Sequence, residues 1–299
     1  MPERRTIELS HPVDLARTLF PLRRGDGDPT MRIAPGEAIR ALRSPAGPAT
    51  LRVRSAGGAI AAEAWGSGAG WALEEAPGLV GAEDDDDGFL PQHQAVANAW
   101  RQAGGVRITR TRAVVHVLIP TILEKKITGV EARRAYRRMA RALGEKAPGP
   151  FDLLLPPDPE RIATLPYHAF HPWGVERRRA ELIRAVCERA GRIEAAAERS
   201  PADAATSLRA FRGIGPWTVA EVARSALGDA DAVSVGDFHL PHLVSWALAG
   251  QARGTDEMML ELLEPYRGQR GRVQRLLEAT QVRAPAFGPR MPVRSIASL

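Results

Sequence analysis

Cysteine is almost absent from this 299-residue chain, in which Cys187 stands alone. A single thiol excludes an internal disulfide and a four-cysteine iron–sulfur or zinc centre. Cys187 lies in AELIRAVCERA, on the apolar side of a helical pattern, where it reads as a core residue. Lysine is nearly as scarce: Lys125, Lys126 and Lys146 are the only ones, and all other basic side chains are arginine. Arginine stays protonated and forms no Schiff base, so amine chemistry has no candidate beyond residue 146. Long apolar runs are missing too. No stretch approaches the ~18 residues of a membrane span, and MPERRTIELSHP lacks the apolar centre of a secretory signal. A cytoplasmic chain that does not use a membrane is expected.

The charge that is present is unevenly spread. The whole chain carries +6, but residues 1–87 hold ten arginines against fourteen acidic residues, leaving +10 on the remainder. A basic part joined to an acidic part suits a protein in which one region meets a polyanion. A solvated basic surface would give the same count.

The pattern along the chain changes near residue 87. Before it, short strand-like runs such as TLRVRS and AIAAEAW alternate with Gly and Pro turns, which reads as a small α+β domain over 1–86. The five acidic residues Glu83 to Asp87 read as a solvated linker. From Phe89 the period is helical. Helices are expected over about 89–103, 111–124 (apolar and buried, with Pro120 inside), 175–190 and 201–212. Thr128 and Glu131 have the spacing of a capping box for the helix after 128, and Asp158 precedes a helix beginning at Pro159. The expected architecture is mainly α: a helical region over 87–280 behind the α+β domain, then a loose tail over 281–299.

The strongest local signal is LRAFRGIGPWTVAEVARSAL, residues 208–227. Two amphipathic helices flank Gly213-Ile214-Gly215-Pro216. Glycine allows a tight turn and close approach of another backbone, and Pro216 fits the first position of a helix. The free N–H groups and dipole of that helix start suit a phosphate. Ile214 would plug the turn into the core. Twenty residues after Trp217 comes Asp237, in DAVSVGDFHLP, just before the apolar run LVSWAL. By position alone, without the hairpin, Asp237 reads as a helix cap.

The string Gly-Ile-Gly-Pro-Trp-Thr-Val-Ala, with an aspartate at that separation, resembles the helix-hairpin-helix DNA glycosylase superfamily. The closest resemblance is to its alkylbase branch, the 3-methyladenine glycosylase II type, over roughly residues 89–280. The resemblance implies a base excision repair enzyme that hydrolyses the N-glycosidic bond of a damaged, mainly purine, base flipped out of duplex DNA. Asp237 would be the catalytic carboxylate. Trp217 either stacks on the base or packs the second helix. The hairpin residues Arg212, Gly213, Ile214, Gly215 and Thr218 would grip DNA. Relatives that also cut the strand carry a lysine near position 217; with Trp217 there, a base-only enzyme is implied. No organic cofactor is implied, though backbone carbonyls of the hairpin would hold a monovalent cation. The implied partner is double-stranded DNA bearing a damaged base, met by a monomer associated with the nucleoid.

The sequence departs from that pattern in places. The loop after the first core helix reads Leu-Glu-Lys-Lys-Ile-Thr, where the family often has glutamine; Lys125 and Lys126 either touch phosphate or are plain surface. Glu221 stands where the branch places a pocket aromatic, and either helps bind a cationic base or faces solvent. In LPYHAFHPWGVERRR, Tyr167 and Trp173 are candidates for the base cleft, and Arg177 and Arg178 for phosphate contact. The pairs His168/His171 and His239/His242 lack the further ligands of a metal site, and none is expected. Two other readings stay open: a non-catalytic DNA-binding relative, and a bifunctional oxidised-base glycosylase/lyase.

Overall fold

The computed structural model describes residues 1–280, 282–285 and 293. Most of the expected tail lies outside the described residues. The chain begins with β1 (Glu3–Glu8), α1 (Leu15–Leu19), β2 (Met31–Ala34), β3 (Glu37–Ser44), β4 (Gly47–Ala56) and β5 (Ala59–Trp65). These strands form one antiparallel sheet in the order β1-β5-β4-β3-β2, with Ile7 opposite Ile60 and Val53 opposite Ala62. In β5 every second residue is buried, so Ile60, Ala62 and Ala64 face α2 (Ala69–Val80). That alternation is the period-2 pattern of a half-buried strand.

Helices follow: α3 (Gln94–Ala103), α4 (Val114–Leu123), α5 (Gly129–Leu143), α6 (Pro159–Thr164), α7 (Arg177–Cys187), α8 (Ala190–Arg199), α9 (Pro201–Arg209), α10 (Pro216–Val222), α11 (Leu240–Ala249), α12 (Asp256–Leu263) and α13 (Arg270–Ala279). The architecture is thus mainly α behind a small sheet. Local chemistry explains several boundaries. Thr128 and Glu131 make both bonds of the capping box, and Asp158 accepts from Glu160 N–H at 3.0 Å. α4 is buried nearly throughout and runs through Pro120, with the Thr121 hydroxyl donating to the Val117 carbonyl at 2.8 Å.

The buried cores divide differently from the secondary structure. One core joins the sheet and α2 to α4, α5, α7 and the hairpin residues Ile214, Val219 and Val222. The other joins α3 to α11, α12 and α13. The helical region is therefore two lobes, and the sheet is fused to the first. Cys187 is buried in that first core, where burial pushes its thiol up to about 12.

The acidic run corrects the expectation of a solvated linker. Asp84 accepts from both Arg272 guanidinium nitrogens at 2.7 Å and from the Ile108 N–H at 3.0 Å. The side chains of Asp84 and Arg272 are 2% and 1% exposed. Asp86 pairs with buried Arg107, which also reaches the Pro12 carbonyl. Asp84 thus ties α13 of the second lobe to the segment entering α4, and Asp86 is fastened to Arg107; the sequence pattern missed the first pair because Arg272 lies 188 residues along the chain. Asp84→Asn leaves Arg272 buried without its counter-charge and should cost about 3–5 kcal/mol in urea unfolding.

A second expectation concerns pH. Glu194 of α8 caps α4, accepting from the Val114 and Val115 N–H groups at 3.0 and 2.9 Å. Burial pushes its carboxyl up to about 7 from 4.5, against the pull of those two bonds. The folded chain then keeps a proton that the unfolded chain has released, so this group's contribution is full below 4.5 and is lost as pH rises through about 7. Wild type should lose stability relative to Glu194→Gln between about pH 5 and about pH 8, on the order of 1–3 kcal/mol, read as the difference between their melting curves across that range.

Candidate active site

The turn between α9 and α10 is built as the glycine pattern requires. Gly213 has φ +105°, which side chains rarely adopt, and the Ile214 N–H donates to the Phe211 carbonyl at 3.0 Å. Ile214 is buried in the first core and pins the turn from inside. Gly215 is different. Its φ of −106° suits any residue, and a Cβ built there meets nothing within 4 Å. No packing inside the chain demands a glycine at 215, whereas a partner backbone arriving from outside would. Pro216 opens α10, and Arg212 is exposed beside the turn.

Asp237 faces this hairpin. Its Oδ2 accepts from Trp217 Nε1 at 3.0 Å. Its Oδ1 accepts from the N–H groups of His239 and Leu240 at 2.7 and 2.8 Å, which caps α11. The two readings of this residue are therefore compatible: one oxygen serves the helix and the other is held over α10 by the indole. Asp237 remains partly exposed.

Behind it lies a buried polar network. Arg224 donates to the Ala232 carbonyl, Ser234 Oγ and Gln274 Oε1 at 3.0–3.1 Å. Glu221 accepts from Arg224 and from the Ser234 hydroxyl. Burial raises the Glu221 carboxyl, but Arg224 and Ser234 outweigh it and hold the group below its ordinary value. Ser234 comes three residues before Asp237, and its carbonyl accepts the Asp237 N–H at 3.1 Å. Network and carboxylate are thus one rigid assembly.

The fold that carries this site has counterparts among solved structures. A 3-methyladenine DNA-glycosylase from Archaeoglobus fulgidus superposes with a TM-score of 0.76 at 18% identity, covering 92% of this chain and 97% of that one. An 8-oxoguanine glycosylase/lyase from Clostridium acetobutylicum, in complex with double-stranded DNA containing cytosine opposite 8-oxoG, gives 0.69 at 12%, covering 94% and 97%. The 3-methyladenine DNA glycosylase of Schizosaccharomyces pombe, in complex with abasic DNA, gives 0.54 at 15%, covering 66% and 96%. The chain has the helix-hairpin-helix DNA glycosylase fold. No protein-family model matches the sequence, and no curated protein matches it either.

Within this glycosylase fold the other predicted residues separate into groups. Lys125 reaches the hairpin, its Nζ donating to the Gly213 carbonyl, and Lys126 follows it at φ +55°. Burial first, then Arg178, Lys126 and Arg179, hold the Lys125 ammonium below the usual lysine value. Arg178 therefore stands near the hairpin. Arg177 is spent on Glu181 at 2.7 Å and lies over the Tyr167 ring at 4.6 Å.

Tyr167 and Trp173 belong to a 3-10 segment, Tyr167–Trp173, that packs on α5 and α7. Trp173 meets Phe170 edge-on at 5.3 Å. Among the described residues neither ring shares a hydrogen bond or ring contact with Trp217 or Asp237. Thr218 is 1% exposed, so the whole residue is buried beneath the surface of the hairpin. Glu221 neither reaches freely into a pocket nor simply faces solvent, because its partners are Arg224 and Ser234.

Sequence reasoning passed over Phe238. It is 78% exposed beside Asp237 and touches the rings of His239 and His242 edge-on at 4.9 and 6.1 Å. A large apolar side chain directly after the carboxylate was the available signal. A cleft of about 890 Å³ elsewhere, lined by Arg23, Met31, Ile39, Arg141 and Leu154, shares no lining residue with the hairpin or Asp237. Among the described residues, the one trio of potential metal ligands is His11, Asp86 and Asp87, in which Asp86 is already paired with Arg107. No helix of the described residues is long and apolar enough to cross a membrane.

The two hairpin glycines should respond differently to substitution. Gly213→Ala forces a side chain into a strained φ and should cost about 1–3 kcal/mol. Gly215→Ala should change stability by less than about 1 kcal/mol, and urea unfolding of both variants reads the contrast.

Proposed function

We propose that the protein is a monofunctional DNA glycosylase that excises alkylated or otherwise damaged purines from duplex DNA. The observation that carries this reading is the Trp217–Asp237 hydrogen bond. It holds a carboxylate oxygen beside a hairpin whose Gly215 is bare toward solvent. The names of the solved structures sharing the fold, 3-methyladenine and 8-oxoguanine glycosylases, support the general activity.

A phosphate beside the damaged nucleotide would rest on the turn and on the start of α10, where helix N–H groups lack partners. The target base leaves the stack at a cost of a few kcal/mol, less where damage has weakened its pairing. As the bond from C1′ to the base nitrogen stretches, positive charge gathers on the sugar, as in other glycosidic cleavages. Asp237 Oδ2 faces that charge and can orient the attacking water. A fixed carboxylate opposite a developing cation is worth several kcal/mol in a dry site. An alkylated purine is already cationic and leaves without a strong acid. The Trp217 and Phe238 rings offer faces for stacking, with cation–π attraction of about 0.5–2 kcal/mol. The protein acts as a monomer on damaged double-stranded DNA.

Base-only chemistry is supported by the side chain at 217, an indole and not an amine, and by the contact of Lys125 with the Gly213 carbonyl. The test is chromatographic release of free base from methylated duplex by wild type and Asp237→Asn. The substitution keeps the shape and the helix cap but removes the charge. Release should fall by about 100-fold or more, with binding to an abasic-analogue duplex retained. Borohydride should trap no covalent protein–DNA adduct. Equal release by both proteins would remove Asp237 from the chemistry, no release by either would favour a non-catalytic binder, and a trapped adduct would establish a lyase.

A further inference from the structure

An arginine stands where the sheet is otherwise apolar. By strand alternation Ala38, Arg40 and Leu42 share one face of β3, and Ala38 and Leu42 belong to the first core. On the neighbouring strands Arg40 lies between Met31 and Leu51, both buried in that core. The guanidinium is therefore directed inward, toward α4. There it meets His116, the one polar residue in the buried run Val114–Ile119. Both side chains are half-buried rather than sealed, which leaves a small solute a way in.

Arg40 and His116 line a cavity of about 20 Å³, together with Arg24, Thr30 and Tyr136. A water-sized particle needs roughly 10–15 Å³, so the space takes one such particle and is too small for a phosphate. Its polar wall is rich in donors. Among the described residues the side chains of Arg40 and His116 make no hydrogen bond or ion pair with another residue. The nearby carboxylates are committed elsewhere. Asp28 accepts from the Arg24 and Thr30 N–H groups at 2.6 and 2.8 Å and from the Thr30 hydroxyl at 2.8 Å, and acts on Arg40 only through space. Glu124 is paired with Arg24 at 3.2 Å and Glu145 with Arg43 at 2.9 Å. Burial, then the charges of Arg40 and Arg43, push the His116 imidazole down to about 3. It is neutral, with one ring N–H to give.

Partly buried polar groups without partners call for an occupant. A water would leave the guanidinium charge unbalanced and would bring two hydrogens of its own to a wall of donors. A monatomic anion accepts from every donor there and supplies the counter-charge that a desolvated cation requires. We propose that Arg40 and His116 hold a chloride ion between the sheet and α4, fastening the N-terminal sheet to the helical region. The site shares no residue with the hairpin or with Asp237, so its test is independent of the glycosylase reading.

The experiment uses the full chain and two readouts. Thermal melting is followed in potassium chloride and in potassium gluconate at equal ionic strength, gluconate being too large for the cavity. Wild type should melt about 3–6 °C higher in saturating chloride, the shift of a ligand bound only by the folded chain. Arg40→Met, which removes the charge, should melt alike in the two salts. In gluconate it should be at least as stable as wild type, because an unpaired, partly buried charge costs more than it returns. Long-wavelength anomalous diffraction from wild-type crystals grown in chloride should place a chlorine peak within hydrogen-bond range of Arg40 and His116, and this readout stands even if the variant fails to fold. Three results would overturn the proposal: no anomalous signal in the cavity, which would make the occupant water; wild-type melting curves that coincide in the two salts; or a chloride shift of equal size in Arg40→Met, which would be a general salt effect.

Discussion

One hydrogen bond links the two halves of this site: the Trp217 indole N–H to Asp237 Oδ2. Trp217 rides on the helix that begins at the glycine turn, and Asp237 begins the approach to α11. The bond therefore fixes the carboxylate relative to the hairpin, and with it the distance between whatever the turn holds and the charge that faces it. A neutral donor on a charged acceptor is worth about 1.5–3 kcal/mol, modest in stability terms. Its larger consequence is geometric. Glycosidic catalysis by electrostatic stabilisation needs a charge that is already in place when the transition state forms.

The constraint is reinforced from behind. Arg224, Ser234, Gln274 and Glu221 fasten the loop that carries Asp237 to α10 and α13. Burying so many polar groups is tolerated because each finds a partner. On the far side, the Asp84–Arg272 pair clamps α13 to the junction between the lobes. From Asp84 through Arg272 and α13 to Gln274, Arg224 and Ser234, a chain of buried polar contacts runs from the lobe junction to the loop bearing the carboxylate. The glycine turn lies on the first core and the carboxylate approaches from the second, so the candidate site sits at the meeting of the two lobes.

Much of this was legible in the sequence, and the misses share a cause. Helix periodicity located α4, α7 and α9 to within a few residues, the Thr128 and Asp158 caps acted as their chemistry implies, and alternation located β4 and β5. The hairpin and Asp237 were visible because glycine, proline and carboxylate spacing is local information. What stayed hidden was pairing across long separations. Asp84 with Arg272, Arg224 with Gln274 and Lys125 with Gly213 each depend on three-dimensional proximity that no window of residues contains. A run of five acids therefore looked like a solvated linker, although Asp84 is buried against Arg272.

The account stands most directly on where the sugar sits relative to Asp237. A crystal structure of the full chain with a duplex carrying a cationic azaribose abasic analogue would locate it. The account predicts a DNA phosphate at Gly215 and the positive ring atom of the analogue facing Asp237 Oδ2 at roughly hydrogen-bond or ion-pair range, about 3–4 Å. A duplex bound on another face, or an analogue turned away from Asp237 while the phosphate occupies the turn, would contradict it.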